Sequence, residues 1–149
     1  MKGNYVIQFV LCITLVLTIS CSGTRPTNLG VKDGQLAPCP DSPNCVSSQA
    51  EDEKHQIQAI SFTQEPTAAW QKLIEVVKNQ PRTTIIKQEE QYLYAEFKSA
   101  LMGYVDDVEF YLISEKNIIE VRSASRLGYS DMGVNRKRIE TIRAAMQKQ

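Results

Sequence analysis

Four short segments with strand-type alternation follow one another between residues 83 and 126, and they restrict the fold more than any other feature of the sequence. They span residues 83–88, 92–99, 104–113 and 117–126. Alternate side chains of a strand lie on opposite faces, and the few residues between these segments suffice only for short turns. Because strands joined by short turns pair antiparallel, the sequence predicts an antiparallel sheet with one apolar face.

One more strand and two helices are predicted around this sheet. Residues 55–63 resemble a strand, Glu65-Pro66-Thr67 opens a helix that ends before Pro81, and a last helix begins near Gly133. Apolar residues recur at helical spacing in both helices: Ala69, Leu73, Val76 and Val77 in the first, and Val134, Ile139, Ile142 and Met146 in the second. The predicted class is α+β, with a single antiparallel sheet of about five strands in the order β-α-β-β-β-β-α, covered by two helices.

The N-terminus has the pattern of an export signal. Lys2 precedes an apolar run over residues 5–19, which is shorter than the roughly 20 apolar residues that a membrane-spanning helix needs. The run ends in Leu17-Thr-Ile-Ser-Cys21, which resembles the lipobox of bacterial lipoproteins. We therefore predict a signal peptide over residues 1–20 and acyl chains, including palmitate, on Cys21. An ordinary cleaved signal with an incidental cysteine is the alternative.

The sequence after the signal divides into a tether and a domain. Residues 21–35 are rich in Gly, Thr, Pro and Asn, which favours a flexible lipidated tether, and residues 36–149 form a single domain. Ser22 follows the acylated position, and in the Gram-negative lipoproteins that this signal resembles, such a residue permits transfer to the outer membrane. We predict a location in the cell envelope, lipid-anchored through Cys21 at the periplasmic face of the outer membrane.

Two cysteines remain in the domain, in the segment Cys39-Pro-Asp-Ser-Pro-Asn-Cys45. In an oxidising compartment, one such pair favours one disulfide. A metal site is the alternative, but two cysteines and the single histidine, His55, supply fewer ligands than structural zinc requires. A redox centre would show two cysteines separated by two residues. We predict a structural Cys39–Cys45 bridge, no metal and no cofactor.

Charge is balanced over the chain, with 17 basic and 17 acidic residues, which argues against nucleic acid as a partner. Its distribution is uneven, since residues 122–149 hold seven basic and two acidic residues. On the last helix, a solvated face explains most of this charge. The residues of that face are Lys137, Arg138, Arg143 and Lys148.

The register of the last hairpin determines which charged side chains meet. A turn centred on Glu115 and Lys116 pairs Phe110 with Val121 and Glu109 with Arg122. Asp107 and Arg126 then share the face of Glu109 and Arg122, opposite the apolar residues. Asp106 lies on the other face, across from Ser125. One interpretation of the charged face is a cross-strand ion-pair ladder on a solvated sheet, and the other is a polar pocket that the last helix and its preceding turn partly cover.

Three motifs, in this order along the chain, resemble one family. They are Cys39-Pro-Asp-Ser-Pro-Asn-Cys-Val-Ser-Ser48, Asp106-Asp-Val-Glu-Phe110 and Arg122-Ser-Ala-Ser-Arg126-Leu-Gly-Tyr-Ser-Asp131-Met-Gly-Val-Asn135-Arg136. The family is domain of unknown function 1499, and the resemblance covers residues 36–147. Its members occur as exported bacterial proteins and in the photosynthetic lumen of plants. The resemblance implies no established reaction or ligand.

The third motif has the parts of an anion site. Arginine guanidinium groups match carboxylate or phosphate, and the start of the last helix offers free backbone N–H groups. The alternative is that the nearby carboxylates already neutralise the arginines. The candidate ligand-binding residues are Asp106, Asp107, Glu109, Arg122, Ser125, Arg126, Tyr129, Asp131, Asn135 and Arg136.

Three hypotheses about function follow. The first is a non-catalytic module that binds an anionic small molecule, a lipid headgroup or a wall fragment. The second is an envelope hydrolase that uses Asp106, Asp107 and Glu109 in acid–base catalysis, although neighbouring arginines lower carboxylate pKa values and suit an acid poorly. The third is a structural or interaction protein. His55, after the charged run 51–54, is expected to be a surface residue of a strand.

Overall fold

The computed structural model describes residues 22–148, so the predicted signal peptide and Cys21 lie outside the described residues. Six strands and two long helices follow in chain order. They are β1 (Cys45–Ser47), β2 (Ile60–Ser61), α1 (Pro66–Lys78), β3 (Thr83–Gln88), β4 (Tyr92–Lys98), β5 (Val105–Ile113), β6 (Ile118–Ser125) and α2 (Val134–Gln147). In the described part of the chain, no helix is long and apolar enough to cross a membrane.

All six strands belong to one antiparallel sheet with the order β1-β6-β5-β4-β3, and β2 also pairs with β6. The predicted α+β class and single antiparallel sheet are therefore confirmed. Short connections explain the central part, because β3 to β6 are consecutive hairpins.

The sixth strand is β1, which sequence analysis did not predict. It follows the proline-containing Cys39–Cys45 segment, and a disulfide joins these two cysteines as predicted. The predicted strand over residues 55–63 is wrong in extent, since only Ile60–Ser61 is paired as a strand. His55 instead ends a turn in which its backbone N–H donates to the Asp52 carbonyl. The charged run 51–54 enters that turn, so the turn takes residue 55 from the predicted strand, and residues 57–59 and 62–63 also lie outside any strand.

Both helices cover the same face of the sheet. The main core packs Leu73 and Val77 of α1 and Ile139 of α2 against Val108 and Phe110 of β5. Residues at alternating positions of β4 and β6 complete this core, as the period of two in a strand requires. Burial of these apolar side chains makes the main favourable contribution to the free energy of packing the helices on the sheet.

The predicted register of the β5–β6 hairpin is confirmed. Phe110 pairs with Val121, Glu109 with Arg122, and Asp106 with Ser125. The connection is a single 3-10 turn over Ser114–Lys116, and Asn117 closes it in the left-handed conformation, with φ of 52°. Asn tolerates this conformation better than most residues, which fixes the register from the turn outward.

Candidate functional site

Seven polar side chains meet on the sheet face opposite the helices, and we call them the polar network. Three neighbouring pairs of strand residues explain the grouping, because β4 pairs Tyr94 with Glu109 and Glu96 with Asp107, and β5 pairs Glu109 with Arg122. The network consists of Tyr92, Tyr94, Glu96, Asp107, Glu109, Arg122 and Arg126. Its centre is buried: Asp107 is 1% exposed, Glu109 0% and Arg122 5%.

Arg126 connects two strands at one end of the network. Its Nε donates to Asp107 Oδ2 at 2.9 Å, and its Nη2 donates to Asp107 Oδ1 at 2.6 Å and to Glu96. The hydroxyl of Tyr94 donates to Asp107 Oδ1 at 2.5 Å and accepts from Arg126 Nη2 at 3.0 Å. Asp107 is therefore bound by one charged and one neutral donor.

Arg122 forms the other half of the network with Glu109. The Nη1 of Arg122 lies 3.2 Å from Glu109 Oε2, while Oε1 accepts from the Tyr92 hydroxyl and from the backbone N–H of Gly30, both at 2.8 Å. Among the described residues, Nε of Arg122 has no acceptor although it is buried. A buried donor without a partner costs free energy, so this half is less completely satisfied than the other.

The N-terminal segment, residues 22–38, covers the polar network. Arg25 donates to Glu96 through Nε at 2.8 Å, Gly30 donates to Glu109, and Leu36 packs in a second apolar cluster with Tyr92 and Tyr94. This packing differs from the flexible tether that the composition predicts. It also corrects the expected cover, because α2 lies on the other face of the sheet. The polar contacts of this segment with the network come from a backbone N–H and one arginine, and a hydrophobicity pattern does not predict such contacts.

The electrostatics of the network follow from burial and from the ion pairs. Burial raises the pKa of Tyr92 and of Tyr94 well above the usual range, and the adjacent charges of Glu109 and Asp107 add to the effect. The hydrogen bond to Asp107 raises the pKa of Arg126. Burial alone would raise the pKa of Glu96, but hydrogen bonds from Arg126, Arg25 and Tyr94 outweigh it, so that this pKa is lowered. The tyrosines therefore stay neutral and Glu96 stays ionised near neutral pH.

A second polar cluster lies on the helix face. Arg138 of α2 pairs with Asp106 and donates from Nη1 to Ser123 Oγ at 3.0 Å and to Asn135 Oδ1 at 2.6 Å. The fully buried Asn135 donates from Nδ2 to the Asn44 carbonyl and to Ser125 Oγ, both at 2.9 Å. Asp106, Ser125 and Asn135, which sequence analysis assigned to the ligand site, are therefore on the opposite side of the sheet from Asp107 and Glu109.

Three other predicted site residues do not join either cluster. Tyr129 is 75% exposed, and Arg136 donates to the Lys54 carbonyl at 3.3 Å. The carboxylate of Asp131 accepts from the backbone N–H groups of Gly133 and Asn135 at 3.0 and 2.7 Å, and thus caps α2. The N-terminus of α2 is therefore occupied by the chain's own carboxylate rather than open to a ligand.

Four charged or aromatic residues of these clusters were not predicted from the sequence. Tyr92, Tyr94 and Glu96 alternate with the predicted core positions Leu93, Ala95 and Phe97, so the period of two already placed them on the polar face. Arg138 was assigned to a solvated helix face. It lies three residues after Asn135, on the side of α2 that faces the sheet.

His55 also differs from expectation. It is buried rather than exposed, with Nδ1 3.0 Å from Asp52 Oδ2 and Nε2 3.1 Å from the Ser42 carbonyl. The hydrogen bond from His55 lowers the pKa of Asp52. These contacts hold the turn before β2 against the disulfide-bonded segment. Within residues 22–148, no three His, Cys, Asp or Glu side chains converge as metal ligands.

A basic cavity opens where the N-terminal segment meets the end of the sheet. Its volume is about 450 Å³, and it is lined by the cations Arg25, Arg82, Lys98 and Arg126 and by a single carboxylate, Glu96. Glu96 is already shared by Arg25 and Arg126. The lining therefore carries excess positive charge, which is suited to an anion.

The carboxylates of the proposed hydrolase do not converge. Asp106 pairs with Arg138 on the helix face, whereas Asp107 and Glu109 are bound by Arg126 and Arg122 on the other face. Each is an acceptor from an arginine, and Asp106 lies on the face opposite to Asp107 and Glu109, so the three carboxylates do not meet at one site.

A comparison with protein families finds one match, to the model described as a protein of unknown function (DUF1499), over residues 35–146. No curated protein and no solved structure matches the chain.

Proposed function

Since the chain belongs to the DUF1499 family of proteins of unknown function, we propose its function from its own residues: it is a lipid-anchored protein of the cell envelope whose domain is a non-catalytic module that binds an anionic group. The observation that carries the proposal is the basic cavity. Four cations line it against one carboxylate that is already paired.

The anchor is supported by the sequence before residue 22 and by the disulfide. The apolar run and the lipobox-like residues before Cys21 match an exported lipoprotein, and the Cys39–Cys45 bridge suits an oxidising compartment. Several acyl chains would give a lasting attachment, which a single chain does not. Ser22 favours the periplasmic face of the outer membrane as the location.

Replacement of Cys21 tests the anchor. We expect Cys21→Ala to move the protein from the membrane fraction to the soluble fraction and to abolish fatty-acid labelling, because the acylated thiol is lost. Cys12→Ala, inside the predicted signal, is the matched control and should change neither. Membrane pelleting and labelling that persist in Cys21→Ala would contradict the anchor.

The anion site is supported by donors that remain available in the cavity. Arg126 uses Nε and Nη2 for its carboxylates, and within the described residues no acceptor contacts its Nη1. Arg82 and Lys98 are exposed and have no ion pair within residues 22–148. Charge-assisted hydrogen bonds from such groups are the strong ones in anion recognition.

A double variant at the exposed cations tests the site without disturbing the polar network. We expect Arg82→Ala/Lys98→Ala to weaken the binding of inorganic phosphate and of glycerophosphoglycerol, measured by NMR titration, by about tenfold or more, which corresponds to about 1.4 kcal/mol. Lys87→Ala/Lys116→Ala removes the same charge outside the cavity and should leave binding unchanged. Equal weakening in both variants, or no saturable binding to the parent chain, would contradict the site.

A further inference from the structure

Large apolar side chains are exposed in two loops, and we call this surface the apolar end. The exposed fractions reach 92% at Leu101, 75% at Tyr129 and 96% at Met132. The surface consists of Leu101, Met102 and Tyr104 between β4 and β5, and of Leu127, Tyr129, Met132 and Val134 after β6. Monomeric proteins rarely expose apolar groups in such a concentration unless the surface contacts a partner or a membrane.

The two loops form one end of the molecule. Arg126 donates its backbone N–H to the Val105 carbonyl at 3.1 Å, so the chain that leaves β6 runs beside the start of β5. Val134 at the start of α2 and Ala100 in the β4–β5 loop line the same cavity of about 400 Å³. The two loops are therefore neighbours at one end of the sheet.

Met132 is exposed in a backbone conformation that disfavours it. Its φ is 54°, in the left-handed region where glycine is better tolerated than a residue with a side chain. Neither packing nor the backbone explains a long apolar side chain at this position, because almost all of it is in contact with solvent. A contact outside the domain would account for it.

The N-terminal segment leaves the domain at this same end. A methyl group placed on Gly23 would lie 3.0 Å from Arg126 Cβ and 3.1 Å from Leu127 Cγ, so the backbone at Gly23 passes directly against the apolar end. A lipid on Cys21 would be joined two residues earlier, within about 7 Å of chain. Because the segment is held on the sheet from Arg25 to Leu36, little chain remains for the domain to turn away.

The cavities beside the apolar end carry excess positive charge, and the one carboxylate of its two loops, Asp131, caps α2. The two cavities that border it are lined by Arg25, Arg82, Lys98 and Lys137, whereas their carboxylates, Glu96 and Asp106, are paired with arginines. Basic residues next to exposed apolar side chains are typical of a surface that contacts anionic lipid headgroups while the apolar groups enter the interface.

We propose that the apolar end docks onto the surface of an anionic bilayer, with Leu101, Tyr129 and Met132 in the interfacial layer and the basic cavity at the level of the headgroups. The proposal rests on the lipid anchor proposed above, and it identifies the anionic group of the cavity as a lipid headgroup. The sheet then stands on the membrane, with the β5–β6 turn at Ser114–Lys116 facing away.

Quenching by brominated lipids tests this orientation in the lipidated full chain, placed in nanodiscs that contain dibrominated phosphatidylglycerol. The single native tryptophan, Trp70, is buried in the core and gives a constant background. We expect tryptophan fluorescence in Leu101→Trp and in Met132→Trp to be quenched several-fold more than in Lys116→Trp, which places the same probe at the opposite end. Nanodiscs of zwitterionic brominated lipid should give weaker quenching.

Quenching at positions 101 and 132 that does not exceed quenching at 116 would overturn the docking. Blue-shifted but unquenched emission at 101 and 132 would indicate a contact between protein copies and would also overturn it. If Cys21 proves not to be acylated, the anchor fails separately, and coupling of its thiol to a maleimide lipid attaches the chain at the same residue. The same three probes then decide the docking.

Discussion

Arg126 connects three groups that come from two strands, although it follows the last paired residue of β6. Its guanidinium reaches Asp107 on β5 and both Glu96 and Tyr94 on β4. Asp107 is almost fully buried, so its charge depends on this one cation. Loss of one partner of a buried ion pair leaves an uncompensated charge, which is more costly than the pair itself is stabilising.

We expect Arg126→Ala to lower the free energy of unfolding by about 3 to 5 kcal/mol, measured by urea denaturation of the soluble domain. Arg136→Ala is the matched control, because Arg136 donates only to the Lys54 carbonyl and should cost less than about 1 kcal/mol. Equal stability of the two variants would contradict the claim that Arg126 compensates the buried charge of Asp107.

The ionisation of Glu96 makes stability depend on pH. Its pKa is lowered in the folded chain from the value of 4.5 that applies when it is unfolded. The contribution of the Glu96 carboxylate to the free energy of unfolding is therefore fully present above about pH 4.5 and is lost as pH falls through the lower pKa of the folded chain. We expect the free energy of unfolding of the parent chain to decrease below this pH. That of Glu96→Gln should decrease less steeply when both are measured by urea denaturation at a series of pH values. Glu90→Gln, at an exposed carboxylate, should keep the slope of the parent chain.

At the scale of elements, the hairpin of β5 and β6 was predictable to the residue. Its alternation of apolar and polar side chains and its short turn leave one register, and a slip by one residue would move Phe110 and Val121 out of the core. The pairing of Glu109 with Arg122 follows from that register alone. Local pattern and tertiary packing agree here, which is why the sequence suffices.

The position of helix α2 was predictable, but the residues of its first turn that face the core were not. Val134 was expected in the apolar stripe and is exposed, whereas the polar Asn135 is buried. Hydrogen bonds to Asn44 and Ser125 compensate for that burial, and a hydrophobicity pattern does not register such contacts. Successive helix residues differ by about 100°, so Arg138 faces the sheet and Arg136 does not.

The N-terminal segment was the least predictable element. Its contacts with the polar network include a backbone N–H, an arginine and one buried leucine, and they join residues that are far apart in sequence. No local propensity reports such contacts. The position of β1 was hidden for the same reason, since a strand of three residues is too short for a visible alternation.

The disulfide closes a loop of six residues before β1. On the chain-entropy model, so short a loop contributes about 2 kcal/mol to stability by restricting the unfolded chain. We expect Cys39→Ser/Cys45→Ser to lower the free energy of unfolding by about this amount in urea denaturation. In the parent chain, neither thiol should react with an alkylating agent before reduction, and mass spectrometry would detect any adduct that contradicts the bridge.

At the scale of the whole molecule, the sheet is buried on both faces at its centre. The helices cover one face with an apolar core, and the N-terminal segment covers the other over the polar network. β5 lies between β4 and β6, so its backbone is paired on both sides, while β3 is an edge strand with a register shift and without a fully buried residue.

We expect native-state hydrogen exchange to follow this arrangement. Amides of β5 should exchange only with global unfolding, so their exchange free energy should equal the free energy of unfolding, whereas β3 should exchange through local opening at a lower value. Two-dimensional NMR at several urea concentrations separates the two cases. Protection of β3 equal to that of β5 would contradict this prediction, because the edge strand would then open only with the whole domain.

Because of its long-range contacts, the N-terminal segment is synthesised before the sheet but folds after it. The acceptor of the Gly30 backbone N–H lies 79 residues later in the chain, and the acceptor of the Arg25 side chain lies 71 residues later. Those acceptors are aligned only when β4, β5 and β6 have paired, and closing such long loops is slow relative to forming the hairpins. The first described residues of the chain are thus the last to reach their place in the fold, and the acyl anchor proposed above would already hold them while the sheet assembles.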